Sequence, residues 1–80
     1  VSADNQNDDY TAWLMRVEDE LQLRHAVKPP QAYAMVNKAE EDGVLNYDTQ
    51  RAGKPGFVDF WELGRRVKAY WDKLNAIHAG

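Results

Sequence analysis

The sequence predicts an all-α domain, a small three-helix array with a long structured connector between helices 2 and 3. Three observations predict it. Apolar residues recur at three- and four-residue spacing in separate stretches around Trp13, Met35 and Val67. Lys28-Pro29-Pro30 and Gly43 interrupt that periodicity where a helix must stop. From Gly56 to the end, the chain carries a full set of signals for one long amphipathic helix.

Residues 1–9 (VSADNQNDD) hold Asp4, Asp8 and Asp9 without a cation, and are expected to form a flexible acidic tail ahead of a single domain over 10–80. The first helix is expected over 10–25, with Asp8, Asp9 or Thr11 as its cap. Tyr10, Trp13, Leu14, Val17 and Leu21 fall on one side of it. Arg16, Asp19, Glu20 and Arg24 stand at pairing distance along the helix. Met15 and Leu23 lie off the apolar stripe, either exposed or against a second partner.

Proline suits the first turn of a helix and cannot continue a preceding one, so the second helix is expected over 30–42. Its inner side is Ala32, Met35, Val36 and Ala39, with Tyr33 at the margin. Gly43 supplies a left-handed stop, with Val44 returning onto Ala39. Residues 44–58 form the connector, in which Asp48 and Gly53-Lys54-Pro55-Gly56 carry turn chemistry. A short β-ribbon pairing 44–47 with 56–58 is an expectation here.

The third helix is expected over 60–77. Asp59 is its cap, Glu62 closes a reciprocal capping box, and Val58 and Leu63 form a hydrophobic staple. Phe60, Leu63, Gly64, Val67, Trp71, Leu74 and His78 share its inner face, with Tyr70 and Ile77 beside it. Gly64 costs about 1 kcal/mol there relative to alanine, so a close helix crossing is expected at that point.

Composition limits function. At 80 residues the chain is one domain with a small core, to which three tryptophans, four tyrosines and two phenylalanines can contribute. A net charge of −3 argues against a general nucleic-acid binder. There is no cysteine, hence no disulfide and no thiolate metal site, which fits a cytoplasmic or other reducing compartment. No apolar run is long enough to span a membrane, so no membrane partner is expected. The chain begins at Val1, and a processed product and an excised domain both stay open.

Gly56, Val58, Glu62 and Leu63 stand where the second half of an EF-hand calcium loop carries its glycine, aliphatic, glutamate and following apolar residue. The segment therefore resembles that half-loop over eight residues. Ligand positions one, three and five are Arg51, Gly53 and Pro55, and the capping box accounts for the same residues, so neither metal nor cofactor is expected. His25 and His78 lie near helix C-termini, where a cationic imidazole compensates the dipole. Ser2 lies in the expected tail, Thr11 and Thr49 have no base nearby in sequence, and Glu40-Glu41-Asp42 can raise a carboxyl pKa by mutual repulsion or form a solvated acidic patch.

The sequence thus points to a non-enzymatic protein-interaction module, an adaptor, inhibitor or accessory domain. Trp61, Arg65, Lys68 and Asp72 share a side of the last helix distinct from its core stripe. The expected partner-binding residues are Trp61, Arg65, Lys68, Met15, Leu23 and Tyr47. An alternative is a nucleic-acid-associated protein with Arg65, Arg66, Lys68 and Lys73 on phosphates. A third is a small enzyme with a site assembled only in three dimensions.

Overall fold

The computed structural model describes the backbone of residues 2–79 and the side chains of 9–77. The three periodic stretches form the long helices α1 (Ser2–His25), α2 (Pro29–Glu41) and α4 (Phe60–Ala79), and the connector adds a single turn, α3 (Tyr47–Gln50). Each long helix packs against the other two. There is no strand among the described residues.

The apolar stripes meet in one core. Trp13, Val17 and Leu21 come from α1, and Ala32, Met35, Val36 and Ala39 from α2. Leu63 and Val67 come from α4, and the connector contributes Leu45. Val58, the staple residue, packs against this cluster together with Phe60, Tyr47 and Trp71. Ile77, expected beside the inner face of the last helix, is 64% exposed.

The α1–α4 contact fixes the geometry. A Cβ built on Gly64 falls 2.8 Å from Glu20 Cγ and 3.4 Å from Glu20 Cβ. The glycine therefore admits the α1 side chain where any other residue would obstruct it. One turn earlier, the Arg16 guanidinium lies 5.0 Å from the Phe60 ring centre. The two contacts lie one turn apart on each helix. Glu20 is 4% exposed. Arg16 reaches its Oε1 at 3.3 Å, and Arg24 forms an ion pair with its Oε2. A buried carboxylate with two basic neighbours on its own helix is tolerable where an unpaired one is not.

The start of α1 differs from expectation, while its end at His25 agrees with it. α1 starts at Ser2, eight residues ahead of Tyr10, so 2–9 continue the helix and Asp8, Asp9 and Thr11 lie within it instead of capping it. Acidic residues suit a helix N-terminus, and the chain contains no proline or glycine before Pro29 to stop the propagation. At its other end, Val27 N–H donates to Leu21 O at 3.2 Å across Ala26, which takes φ 55°. This left-handed stop is occupied by alanine, where glycine is usual, and carried no sequence signal. His25 lies in the last turn of α1, as expected, while the side chain of His78 falls outside the described residues.

The end of α2 follows the predicted glycine stop. Gly43 has φ 84°; its N–H donates to Glu40 O at 3.2 Å and Val44 N–H to Ala39 O at 2.8 Å. These are the two bonds of a Schellman motif. Tyr70 on α4 donates its hydroxyl to Asp42 beside this stop, tying α4 to α2.

The expected β-ribbon does not form. Gln50 takes the groups that it would have used. Its Oε1 accepts from Asn46 N–H at 2.7 Å, and its Nε2 donates to Val44 O at 3.2 Å. Asn46 Oδ1 accepts from Asp48 N–H at 3.1 Å, capping α3. The second half of the connector then lies on α3: Val58 N–H donates to Gln50 O at 2.9 Å, and a Cβ on Gly56 would sit 2.9 Å from Thr49 O. Gly53, at φ 92°, turns the chain between these halves.

Asp59 caps α4 by accepting from Glu62 N–H at 2.8 Å. The reciprocal half of the box is absent, because the Glu62 carboxylate is bound by Arg65 and Arg66. The single cap bond still satisfies a helix donor. Asp59→Ala is expected to lower unfolding free energy by about 1 kcal/mol in a urea titration, with an unchanged slope. A loss near zero would mean that water replaces the cap at no cost.

Candidate functional site

Trp61, Arg65 and Lys68 lie on the outer side of α4. Trp61 is 53% exposed. Its charged neighbours are ordered by one another. Arg65 grips Glu62 with two bonds, Nε to Oε1 at 2.9 Å and a terminal nitrogen to Oε2 at 2.7 Å. Arg66 Nε reaches the same Oε2 at 3.0 Å. Lys68 Nζ donates to Asp72 Oδ2 at 2.7 Å. A bidentate guanidinium–carboxylate pair holds both partners in one plane, so Trp61 stands beside a fixed polar frame.

The two arginines hold the Glu62 carboxyl far below its usual 4.5, at about 2, through hydrogen bonds from Arg65 and then Arg66. Arg65 is correspondingly raised by Glu62. The pairing also bears on the phosphate reading, since Arg65, Arg66 and Lys68 each have a carboxylate at hand. Lys73 is exposed.

The other expected partner-binding residues are dispersed. Met15 is 56% exposed and lies midway between buried Trp13 and Val17, which turns it away from the core on α1. Leu23, 80% exposed, lies two residues past buried Leu21. Tyr47 is half-buried in α3, edge-on to Tyr10 and Trp13 with ring centres 5.5 Å apart in both pairs. The structure thus groups Trp61, Arg65 and Lys68 on one helix side, places Met15 and Leu23 on α1, and puts Tyr47 in an aromatic cluster at the connector.

That cluster separates two clefts which had no distinct signal in the sequence. A cleft of about 670 Å³ is lined by Tyr10, Leu45 and Asn46 with the carboxylates of Asp9, Glu40 and Asp48. A groove of about 460 Å³ is lined by Ala12, Trp13, Phe57, Val58 and Phe60 with Arg16. Asp9, Tyr47 and Arg51 border both. Arg51 lies over the Tyr47 ring, 4.6 Å from its centre. Tyr10 and Trp13 read as core residues from periodicity alone. Only the position of α3 makes them walls.

In the carboxylate run at the end of α2, the Asp42 carboxyl is lowered, not raised. Asp42 is pulled down by the Tyr70 hydrogen bond and, secondarily, by Lys38, with burial opposing. The Tyr70 hydroxyl is raised by the same bond. Glu18 on α1 is raised, first by burial and then by Asp19. No cluster of three or more histidine or acidic side chains is placed to hold a metal ion among the described residues. Among the described residues, no helix is long and apolar enough to cross a membrane.

The low pKa of Glu62 gives a signed prediction. A depressed carboxyl pKa stabilises the fold above the unfolded value of 4.5 and loses that contribution as pH falls towards about 2. Wild type should therefore melt above Glu62→Gln at neutral pH, and the two melting curves should converge across that acid window. Parallel pH dependence of the two proteins would show that the arginine clamp contributes nothing to stability.

Comparison with protein-family models, with curated proteins and with solved structures finds no match to this chain.

Proposed function

We propose that the chain is a non-enzymatic protein-interaction module that engages a protein partner through the Trp61 side of α4. The observation that carries this reading is a half-exposed tryptophan beside a preformed ionic frame. Trp61 is 53% exposed on the helix whose opposite side holds Leu63 and Val67 in the core. A large ring at the surface of a small domain leaves apolar area in water that a partner can cover, and tryptophan and arginine dominate binding hot spots. Arg65 and Lys68 extend the same side by one and two turns. Their carboxylate partners Glu62 and Asp72 give the surface alternating charge, suited to a polar rim around an aromatic anchor. The same internal pairing weakens the nucleic-acid alternative, because phosphates would have to displace carboxylates already bound to Arg65, Arg66 and Lys68.

The test is parallel capture from a lysate of the source organism on immobilised wild type and Trp61→Ala, with quantitative mass spectrometry. Exposed substitutions outside special features change stability by about 0.5 kcal/mol or less, so the variant should keep the fold. A protein retained by wild type and lost by at least about tenfold on Trp61→Ala is the expected outcome. Identical capture by both baits contradicts the proposal.

A further inference from the structure

We propose a second, independent site: the groove between α1, the connector and the start of α4 binds a small organic anion with a ring-sized apolar body, of which the arylacetic acids are the simplest case. The proposal does not depend on the Trp61 surface.

The shape comes first. The open groove offers about 460 Å³, within the range of about 300–1,000 Å³ that accommodates small ligands. Ala12, Trp13, Phe57, Val58 and Phe60 give it an apolar lining, with Tyr47 at its border. These side chains are held in place by the fold. Trp13 is buried, and Val58 and Phe60 pack on the core. Phe57 is 53% exposed, yet its backbone is fixed by the turn in which its N–H donates to Lys54 O at 3.0 Å.

The charge comes second. Two guanidiniums flank this lining, each over an aromatic ring: Arg16 over Phe60 at 5.0 Å and Arg51 over Tyr47 at 4.6 Å. A guanidinium over a ring face is attracted to it and keeps N–H groups available to a carboxylate. Arg16 gives one N–H to Glu20. The Arg51 side chain makes no hydrogen bond among the described residues, and its ion pair with exposed Asp48 is long, at 3.7 Å. A planar fork of unfilled donors at the edge of an apolar trough matches a carboxylate attached to a ring.

The neighbourhood sets the size of the ligand. Across Tyr47 and Arg51, the adjoining cleft carries Glu40 and Asp48, and Asp9 borders both spaces. An extended acidic chain leaving the groove in that direction meets three carboxylates. A compact anion that ends at Arg51 avoids Glu40. The arrangement therefore favours a small molecule with one carboxylate over an acidic peptide.

Titration of the isotope-labelled protein with phenylacetate, followed by amide chemical shifts, tests this. Phenylacetamide serves as the neutral counterpart of the same shape. Saturable shifts at Ala12, Arg51 and Phe57 are expected with the acid, with at least about tenfold weaker binding of the amide. Arg51→Gln should bring the affinity for the acid down to that for the amide, while Trp61→Ala leaves both affinities unchanged. Arg51→Lys, which keeps the charge and loses the fork, should fall between wild type and Arg51→Gln. Absence of saturable shifts at millimolar acid overturns the proposal. So does equal affinity for acid and amide, or an Arg51→Gln protein with a native spectrum and wild-type affinity.

Discussion

The contact between Glu20 and Gly64 is the constraint on which the rest of the structure depends. It brings α1 and α4 close enough for Leu63 and Val67 to join Val17 and Leu21 in one core. It also determines what lies on either side. Arg16 falls over Phe60 one turn before the crossing, and Arg24 reaches the carboxylate from the turn after it. The penalty of a glycine inside a helix is offset here by apolar burial that a wider crossing would forfeit. A charged residue is suited to this position because its aliphatic stem fills the space above the glycine while its own helix supplies the counter-charges.

Much of this architecture was legible from local rules. The inner side of α2 was read residue by residue from spacing, because Pro29, Pro30 and Gly43 bracket it and Ala32, Met35, Val36 and Ala39 leave no ambiguity of face. The start of α4 was legible for the same reason, through Asp59 and the apolar residues around it. Gly64 marked the crossing, since an unexplained glycine on an apolar helix face implies close approach. Its partner did not show: Glu20 looks like one more member of a solvated charge ladder, and only the third dimension buries it.

The misreadings share a cause. The ribbon over 44–58 was inferred from apolar residues flanking turn signals, whereas the side chain of Gln50 claims Val44 O and Asn46 N–H and winds α3 instead. Glu62 was assigned to a capping box, yet two arginines downstream outbid the Asp59 N–H for its oxygens. In both cases a polar side chain had several partners within reach, and periodicity carries no information about that choice. The candidate surfaces follow the same division. Trp61 was recognisable as an off-stripe ring on a helix. The groove beside Tyr47 was not, because its walls come from α1, the connector and α4 at once.

The two surfaces also have different physical origins. Trp61, Arg65 and Lys68 belong to one helix and need only that helix to be arranged. The groove at Arg51 needs the whole connector, and thus inherits the stability of Asn46, Gln50 and Gly56 as a unit. The helix crossing underlies both, and a double-mutant cycle on it tests the account most directly. In the wild-type background, Gly64→Ala should reduce unfolding free energy by about 1–3 kcal/mol, since the methyl group collides with a pinned side chain. With Glu20→Ala in place, the same substitution should be neutral or stabilising by up to about 1 kcal/mol, the intrinsic helical advantage of alanine. A Gly64→Ala protein that is more stable than wild type with Glu20 intact would contradict the close crossing and the fold built on it.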